Sequence, residues 1–268
     1  MNQRAYKIAL CQMTVTDDKD ENLAKAAEMI RAAAAAGARV VCLPEIWNAP
    51  YDVKRMRSYA EPADGSSSKF MAHLARELQI YLVGGSIPEI DGAAMYNTSF
   101  VFDPAGNCIA RHRKVHLFDV DVENGISHKE SDLFGAGDGP TIFDTEFGKI
   151  GLAVCFDIRF PAMFIEMAAK GCHLIFLPAA FTLTTGAAHW ETLIRSRALD
   201  NQLFFAACGP ARNPDAIYAS WGHTTVATPW GDKAGCADER ESIVYAVIDP
   251  DYANKIRREI PIGNPPAL

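Results

Sequence analysis

The chain has 268 residues, 49% of them hydrophobic and 22% charged, with a formal net charge of −7. That length and balance suit one large domain or two small ones and exclude a disordered or extended protein. No run of Lys or Arg exceeds two residues, which argues against a nucleic-acid surface, and no apolar run approaches the length a bilayer requires.

Taken in chain order, the sequence predicts alternating strands and helices without a linker. Tyr6 to Met13 reads as a strand, and residues 20–36 as a helix with Leu23, Ala26, Ala27, Ile30 and Ala34 on one face, ended by Gly37. The acidic stretch Asp17 to Glu21 suits a helix N-terminus. A short apolar strand over 40–44 precedes a helix over 67–78 and a strand over 80–86. Residues 94–103 and 107–115 predict a hairpin that turns at Asp103-Pro104-Ala105-Gly106-Asn107. Residues 116–139 are polar and Gly-rich without periodicity, a loop length usually functional or mobile.

The second half repeats the style. Strands are expected over 140–146, 149–155, 173–180, 203–211, 222–229 and 241–249, with helices over 161–170, 187–202 and 251–259. Helices between strands imply crossovers, and hairpins imply antiparallel neighbours, so mixed sheets in an α/β fold are expected. No internal boundary is visible, which predicts a single domain over 1–268. The seven cysteines lack any Cys-x-x-Cys pair and most sit in apolar runs, so reduced core thiols are expected, and no metal site. Met1 to Leu10 enters a strand directly and lacks a signal-peptide pattern, which predicts a cytoplasmic protein.

Three strand ends carry chemistry. Val40-Val41-Cys42-Leu43-Pro44 leads into Glu45, Arg111-His112-Arg113 into Lys114, and Ile150-Gly151-Leu152-Ala153-Val154 into Cys155. Alone, Cys155 reads as well as a small core hydrophobe, and Glu45 and Lys114 as solvated charges. Together, a base, a cation and a thiol at a strand end form a working set for amide chemistry. The helix expected to begin at Pro161 adds a positive end that favours thiolate.

The segments 43–51 (Leu-Pro-Glu-Ile-Trp-Asn-Ala-Pro-Tyr), 111–119 (Arg-His-Arg-Lys-Val-His-Leu-Phe-Asp) and 151–161 (Gly-Leu-Ala-Val-Cys-Phe-Asp-Ile-Arg-Phe-Pro) resemble the three catalytic blocks of the nitrilase superfamily of carbon–nitrogen hydrolases, in the family's order. The stretches 84–89, 96–98, 181–190, 195–202 and 221–226 are most similar to its ω-amidase branch. The resemblance implies a four-layer α-β-β-α sandwich with two mixed sheets, and a thiol-dependent amidase that needs no cofactor. It also implies a second glutamate, Glu130, that positions Lys114 and substrate. A homodimer is implied as well, for which Met163, Phe164, Met167 and Ala168 offer an apolar face and the tail Pro261 to Leu268 a reach to a partner.

An amide resists attack because nitrogen donates into the carbonyl and leaves poorly. It calls for a nucleophile, an oxyanion donor and an acid for the departing nitrogen. Cys155 is the expected nucleophile and Glu45 the base and acid, with Lys114 and the Phe156 N–H holding the oxyanion. Short 2-oxo dicarboxylic acid monoamides, the ω-amidase substrates, would need a group for their far carboxylate. Tyr51, Arg159, Thr184, Thr185 and His189 are the candidates, though Arg159 equally suits an ion pair with Asp157 or Glu166. His116 or His223 as a Cys–His partner is a weaker reading. Deaminated-glutathione amidase, N-carbamoyl amino acid hydrolase and nitrilase stay open as sibling activities, and an inactive binding or scaffold relative as a different class.

Overall fold

The computed structural model describes residues 5–121 and 127–262. The first half runs β1 (Tyr6–Gln12), α1 (Lys19–Ala35), β2 (Val40–Cys42), α2 (Ser66–Leu78), β3 (Tyr81–Val83), β4 (Ile87–Asp91), β5 (Ala94–Phe102) and β6 (Cys108–Arg113). A small hairpin, β7 (Asp119–Asp121) and β8 (Ser127–Lys129), follows. The second half runs β9 (Thr141–Thr145), β10 (Gly148–Leu152), α3 (Pro161–Ala169), β11 (Leu174–Pro178), α4 (Leu183–Asn201), β12 (Phe204–Cys208), β13 (Thr225–Ala227), β14 (Lys233–Cys236), β15 (Ser242–Ile248) and α5 (Pro250–Glu259).

One sheet has the order β15-β1-β2-β3-β5-β4, with β6 along the other edge of β5; the second has the order β14-β13-β12-β11-β10-β9. In the first, β1, β2 and β3 are parallel while β15 and β5 are antiparallel to their neighbours. In the second, β10, β11 and β12 are parallel and β9 and β13 antiparallel. Both sheets are therefore mixed, as the alternation of helices and hairpins demands.

The period of two along each strand sorts side chains into layers. Ala9, Cys11, Val41 and Leu82 face α1 and α2, while Ile8, Leu10, Val40, Cys42 and Val83 face the second sheet. From that sheet Leu174, Phe176, Phe204 and Ala206 meet them, while Ile175, Leu177, Phe205 and Ala207 turn outward to α3 and α4. The result is the expected α-β-β-α sandwich, its central layer built of buried, mostly apolar side chains. Truncating a fully buried Phe176 there would cost about 3–5 kcal/mol in lost transfer energy and cavity. Asp18 caps α1 by accepting from the Asp20 and Glu21 N–H groups, as the acidic stretch suggested.

Several expectations need correction. β4 and β14 are absent from the sequence reading. β4 contains Pro88, which an edge strand tolerates, and β14 is a mostly exposed edge strand without alternation. The 116–139 stretch holds β7, β8 and a 3₁₀ turn at Glu130–Asp132. Helix α4 begins four residues early because Thr182 caps it, accepting from the Thr185 N–H at 3.2 Å. Gly186 sits in its first turns because a Cβ there would meet the Trp221 ring at 2.2 Å. Five of the seven cysteines are buried, as expected for most of them, while Cys108 and Cys236 are exposed. Met163, Phe164 and Met167 are buried against the second sheet, not free for a partner; Ile165 is the exposed apolar residue of α3. Most of the Pro261 to Leu268 tail, from residue 263 onward, lies outside the described residues. Among the described residues no helix is long and apolar enough to cross a membrane.

Candidate active site

The parallel strands β2, β10 and β11 end on the same side of the sandwich, and just past those ends sit Glu45, Cys155 and Ala180. Carboxyl ends of parallel strands are where α/β proteins present polar groups to a cleft. Two of the turns there are left-handed: Cys155 has φ +46° and Ile46, after Glu45, has φ +47°. Such a backbone is uncommon for a β-branched or bulky residue and is held by surrounding contacts.

For Cys155 that contact is Asp157. Its carboxylate accepts the Val154 N–H at 2.9 Å, the His116 N–H at 2.9 Å and His116 Nδ1 at 2.8 Å, and pairs with His112 Nε2 at 3.1 Å. Burial pushes Asp157 up, but the two histidines and the Val154 N–H outweigh it and hold the carboxyl well below its usual range. Asp157 thus pins the 3₁₀ turn Cys155–Arg159, which intervenes between the strand and α3. Cys155 therefore opens this turn, not α3 itself.

Around Cys155 the charged groups interlock. Lys114 Nζ lies 3.0 Å from Glu45 Oε1 and 2.8 Å from Glu130 Oε2, with all three side chains buried. Asn97 Nδ2 donates to both acids, at 2.8 Å to Glu45 and 3.1 Å to Glu130. Glu45 Oε2 accepts the Ala180 N–H at 2.8 Å, and Glu130 Oε2 accepts the Phe118 N–H at 2.7 Å. The Cys155 thiol belongs to the same cluster, close enough to Glu45 and Lys114 for their charges to act on it.

Electrostatics follow from burial and from two acids sharing one cation. Burial and Glu130 raise Glu45 above the ordinary carboxylate range against the pull of Lys114. Burial works to lower Lys114, but Glu130, Glu45 and Cys155 overcome it, so the lysine stays protonated. Burial and the Glu45 charge push the Cys155 thiol well up, opposed by Lys114. Burial and the Glu45 charge thus oppose the thiolate that the strand end was expected to favour, while Lys114 supports it.

The predicted residues divide. Glu45, Lys114, Glu130 and Cys155 come together. Phe156, Arg159 and Thr185 line a narrow pocket of about 10 Å³ at Cys155, with Phe118, Phe181 and Tyr218. Thr184 is exposed on α4 and is not on that pocket's wall. His189 lies outside the pocket and meets Arg159 Nη2 through Nδ1 at 3.2 Å. Arg159 packs over the Phe156 and Phe181 rings, and neither Asp157 nor Glu166 pairs with it; Glu166 pairs with Lys170. Tyr51 belongs to a separate cleft on the Glu45 side, its hydroxyl 3.4 Å from Glu130 Oε1. His116 is engaged by Asp157, and His223 stacks on Trp221, so neither serves Cys155. The reading missed Asn97, Asp157 and Tyr218. The first two stood inside segments 96–98 and 151–161, which carried the family resemblance, and Asp157 is next to Phe156. Among the described residues no cluster of side chains suits a metal ion.

Comparison with known proteins meets this geometry. The carbon–nitrogen hydrolase family profile matches residues 7–258. A hydrolase of Schizosaccharomyces pombe is 48% identical over 261 residues, 97% of this chain and 81% of that protein. Omega-amidase NIT2 of Homo sapiens is 45% identical over 258 residues, 96% of this chain and 94% of that one. The crystal structure of Saccharomyces cerevisiae Nit3, a member of branch 10 of the nitrilase superfamily, superposes with a TM-score of 0.90 at 38% identity, covering 97% of this chain and 96% of that one. The chain belongs to the carbon–nitrogen hydrolase family of the nitrilase superfamily and is an amide-hydrolysing enzyme.

Proposed function

We propose that the enzyme is an ω-amidase that removes the terminal amide of 2-oxoglutaramate or 2-oxosuccinamate through a Cys155 thioester. The observation that carries this reading is one ammonium, Lys114, held between Glu45 and Glu130, with the Cys155 thiol in reach of both the Glu45 and Lys114 charges. Glu45 takes the thiol proton as sulfur attacks the carbonyl carbon. Lys114 and the Phe156 N–H, in the first turn of a helix where N–H groups lack intrahelical partners, hold the oxyanion. The C–N bond breaks as Glu45 returns the proton to nitrogen, and ammonia leaves. Water, deprotonated by Glu45, then cleaves the thioester, and the proton returns to sulfur.

Among the described residues Arg159 is the one cation lining the Cys155 pocket, and it is the proposed partner for the far carboxylate, with Thr185 on the same wall. At about 10 Å³ that pocket admits roughly one water, so the acyl chain enters by displacing the surrounding rings. Likeness to proteins named omega-amidase supports this substrate over the sibling amides. All seven thiols are free, which favours a reducing, cytoplasmic setting. We read the chain as one domain working as a homodimer, with Ile165 on the surface of α3 at the contact; light scattering at micromolar concentration would return twice the chain mass.

The test is ammonia release from 2-oxoglutaramate by the native protein and by Cys155→Ala. Turnover present in the first and absent from the second supports both substrate and nucleophile. Silence in both, with Cys155 still labelled by iodoacetamide faster than Cys42, would move the enzyme to a sibling amide.

A further inference from the structure

We propose that the cleft on the Glu45 side of the site is a subsite for the leaving amine, so that the enzyme accepts amides whose nitrogen carries a small cationic substituent. This rests on the roles assigned above to Cys155 and Glu45.

Two cavities meet at Ala180 and Tyr218. The narrow one holds Cys155 and Arg159, while the other, about 200 Å³, reaches Glu45 and runs outward between Asp17 and the segment that carries Asp215 and Ala216. An acid that protonates a leaving nitrogen must lie within hydrogen-bond reach of it. With the carbonyl carbon at Cys155 and the acyl carboxylate at Arg159, the nitrogen faces Glu45, and any substituent on it points into the larger cleft. One water needs about 10–15 Å³ of such space, so the cleft holds far more than departing ammonia requires.

The partition between the cavities is a built feature. The Tyr218 hydroxyl donates to the Ala180 carbonyl at 2.6 Å, and its ring stacks on Tyr51 at 4.6 Å. The same Ala180 residue donates its N–H to Glu45, so the wall and the acid share one anchor. Charge then chooses the substituent. The cleft carries the carboxylates of Asp17 and Asp215 and, among the described residues, no Lys, Arg or His. Asp17 shares its charge with Arg55 at 2.5 Å, which leaves Asp215 the stronger attraction for an ammonium. The chemistry is unchanged: C–S forms, C–N breaks, the proton from sulfur passes through Glu45 to nitrogen, and a neutral amine R–NH₂ leaves in place of ammonia. Water then yields the acid.

The experiment compares kcat/KM for succinamate with that for its N-(2-aminoethyl), N-methyl and N-(2-sulfoethyl) derivatives, following the released amine. The aminoethyl amide should be turned over within about tenfold of succinamate, and the sulfoethyl amide at least about tenfold more slowly than the aminoethyl one. Asp215→Asn should lower the aminoethyl-to-succinamate ratio several-fold, and Ala216→Trp, which fills the cleft, should lower it further. Hydrolysis of succinamate with all three derivatives inert would overturn the subsite and leave the amidase reading standing. Equal rates for the aminoethyl and sulfoethyl amides would overturn the charge selection. If succinamate and 2-oxoglutaramate are both inert, the underlying reading fails and the subsite with it.

Discussion

Two buried carboxylates, Glu45 and Glu89, lie close together in the first half of the chain and use charge in opposite ways. They are served by adjacent residues pointing to opposite faces of the same strands: Asn97 and Lys114 reach Glu45, while Thr98 and Arg113 reach Glu89. Around Glu89 the cations outnumber the buried acid. Arg113 grips it bidentately at 2.9 and 3.0 Å, Arg111 adds a contact at 3.3 Å, and the Thr98 hydroxyl donates at 2.6 Å. Around Lys114 the proportion is reversed, with Glu45 and Glu130 sharing one ammonium. Two arginines brace one buried carboxylate there, whereas here a second acid and burial hold the Glu45 carboxyl above its ordinary range against the pull of Lys114. The same alternation of side chains thus builds a brace on one face and a proton-handling site on the other.

The sharpest way to break this comparison is to neutralise each acid. Glu45→Gln should lower kcat by about 10²- to 10⁴-fold while the melting temperature moves little. Ammonia release together with circular dichroism checks both, and a loss of fold in step with activity would dissolve the distinction. Glu89→Gln should do the reverse. Arg111 left unmatched, and Arg113 left with only the exposed Asp91, should cost about 3 kcal/mol in urea unfolding, discounted from a fully buried pair because Arg111 is half exposed, with kcat per folded molecule nearly unchanged.

A buried group without any charged partner gives the third case. His173 bonds the Tyr6 hydroxyl at 2.7 Å, and burial pushes its pKa down to about 4. Between pH 4 and the unfolded value near 6.5, the unfolded chain holds a proton that the folded one does not, so stability rises with pH across this window. His173→Gln should abolish about 3 kcal/mol of the acid-side loss, measured by urea unfolding at pH 7 and pH 4. Last, Glu130→Gln should cut turnover and also move the acid limb of the residual kcat/KM to lower pH. Removing the Glu130 charge takes away one cause that raises Glu45. An acid limb that stays put would show that the Glu130 charge does not act on Glu45.

Much of this protein was legible in its sequence. The parallel core strands are short apolar runs such as Leu174–Pro178, buried on both faces, and read as such without knowing their neighbours. Local chemistry also places Gly37 after the end of α1 and Asp18 at its start. The three chemical residues were recognisable only together, as a base, a cation and a thiol at three strand ends whose segments 43–51, 111–119 and 151–161 resemble the family's catalytic blocks. What periodicity could not reach were edge strands: β4 interrupts its pattern with Pro88, and β14 has no buried face to impose one.

By itself, then, the sequence determined the alternation of elements, the strand ends and the residue types needed to cleave a carbon–nitrogen bond. Only tertiary structure decided that Asn97 bridges two acids and that Asp157 holds the Cys155 turn. It also decided that Thr184 is exposed while Thr185 lines the Cys155 pocket, and that Tyr218 lines both cavities. The reason is physical. Propensity and period are set by neighbours along the chain, whereas Glu45 and Ala180, 135 positions apart in sequence, share one hydrogen bond. That long-range contact exists only once both sheets have packed, and with it come the burial and charge balance that give each group its chemistry.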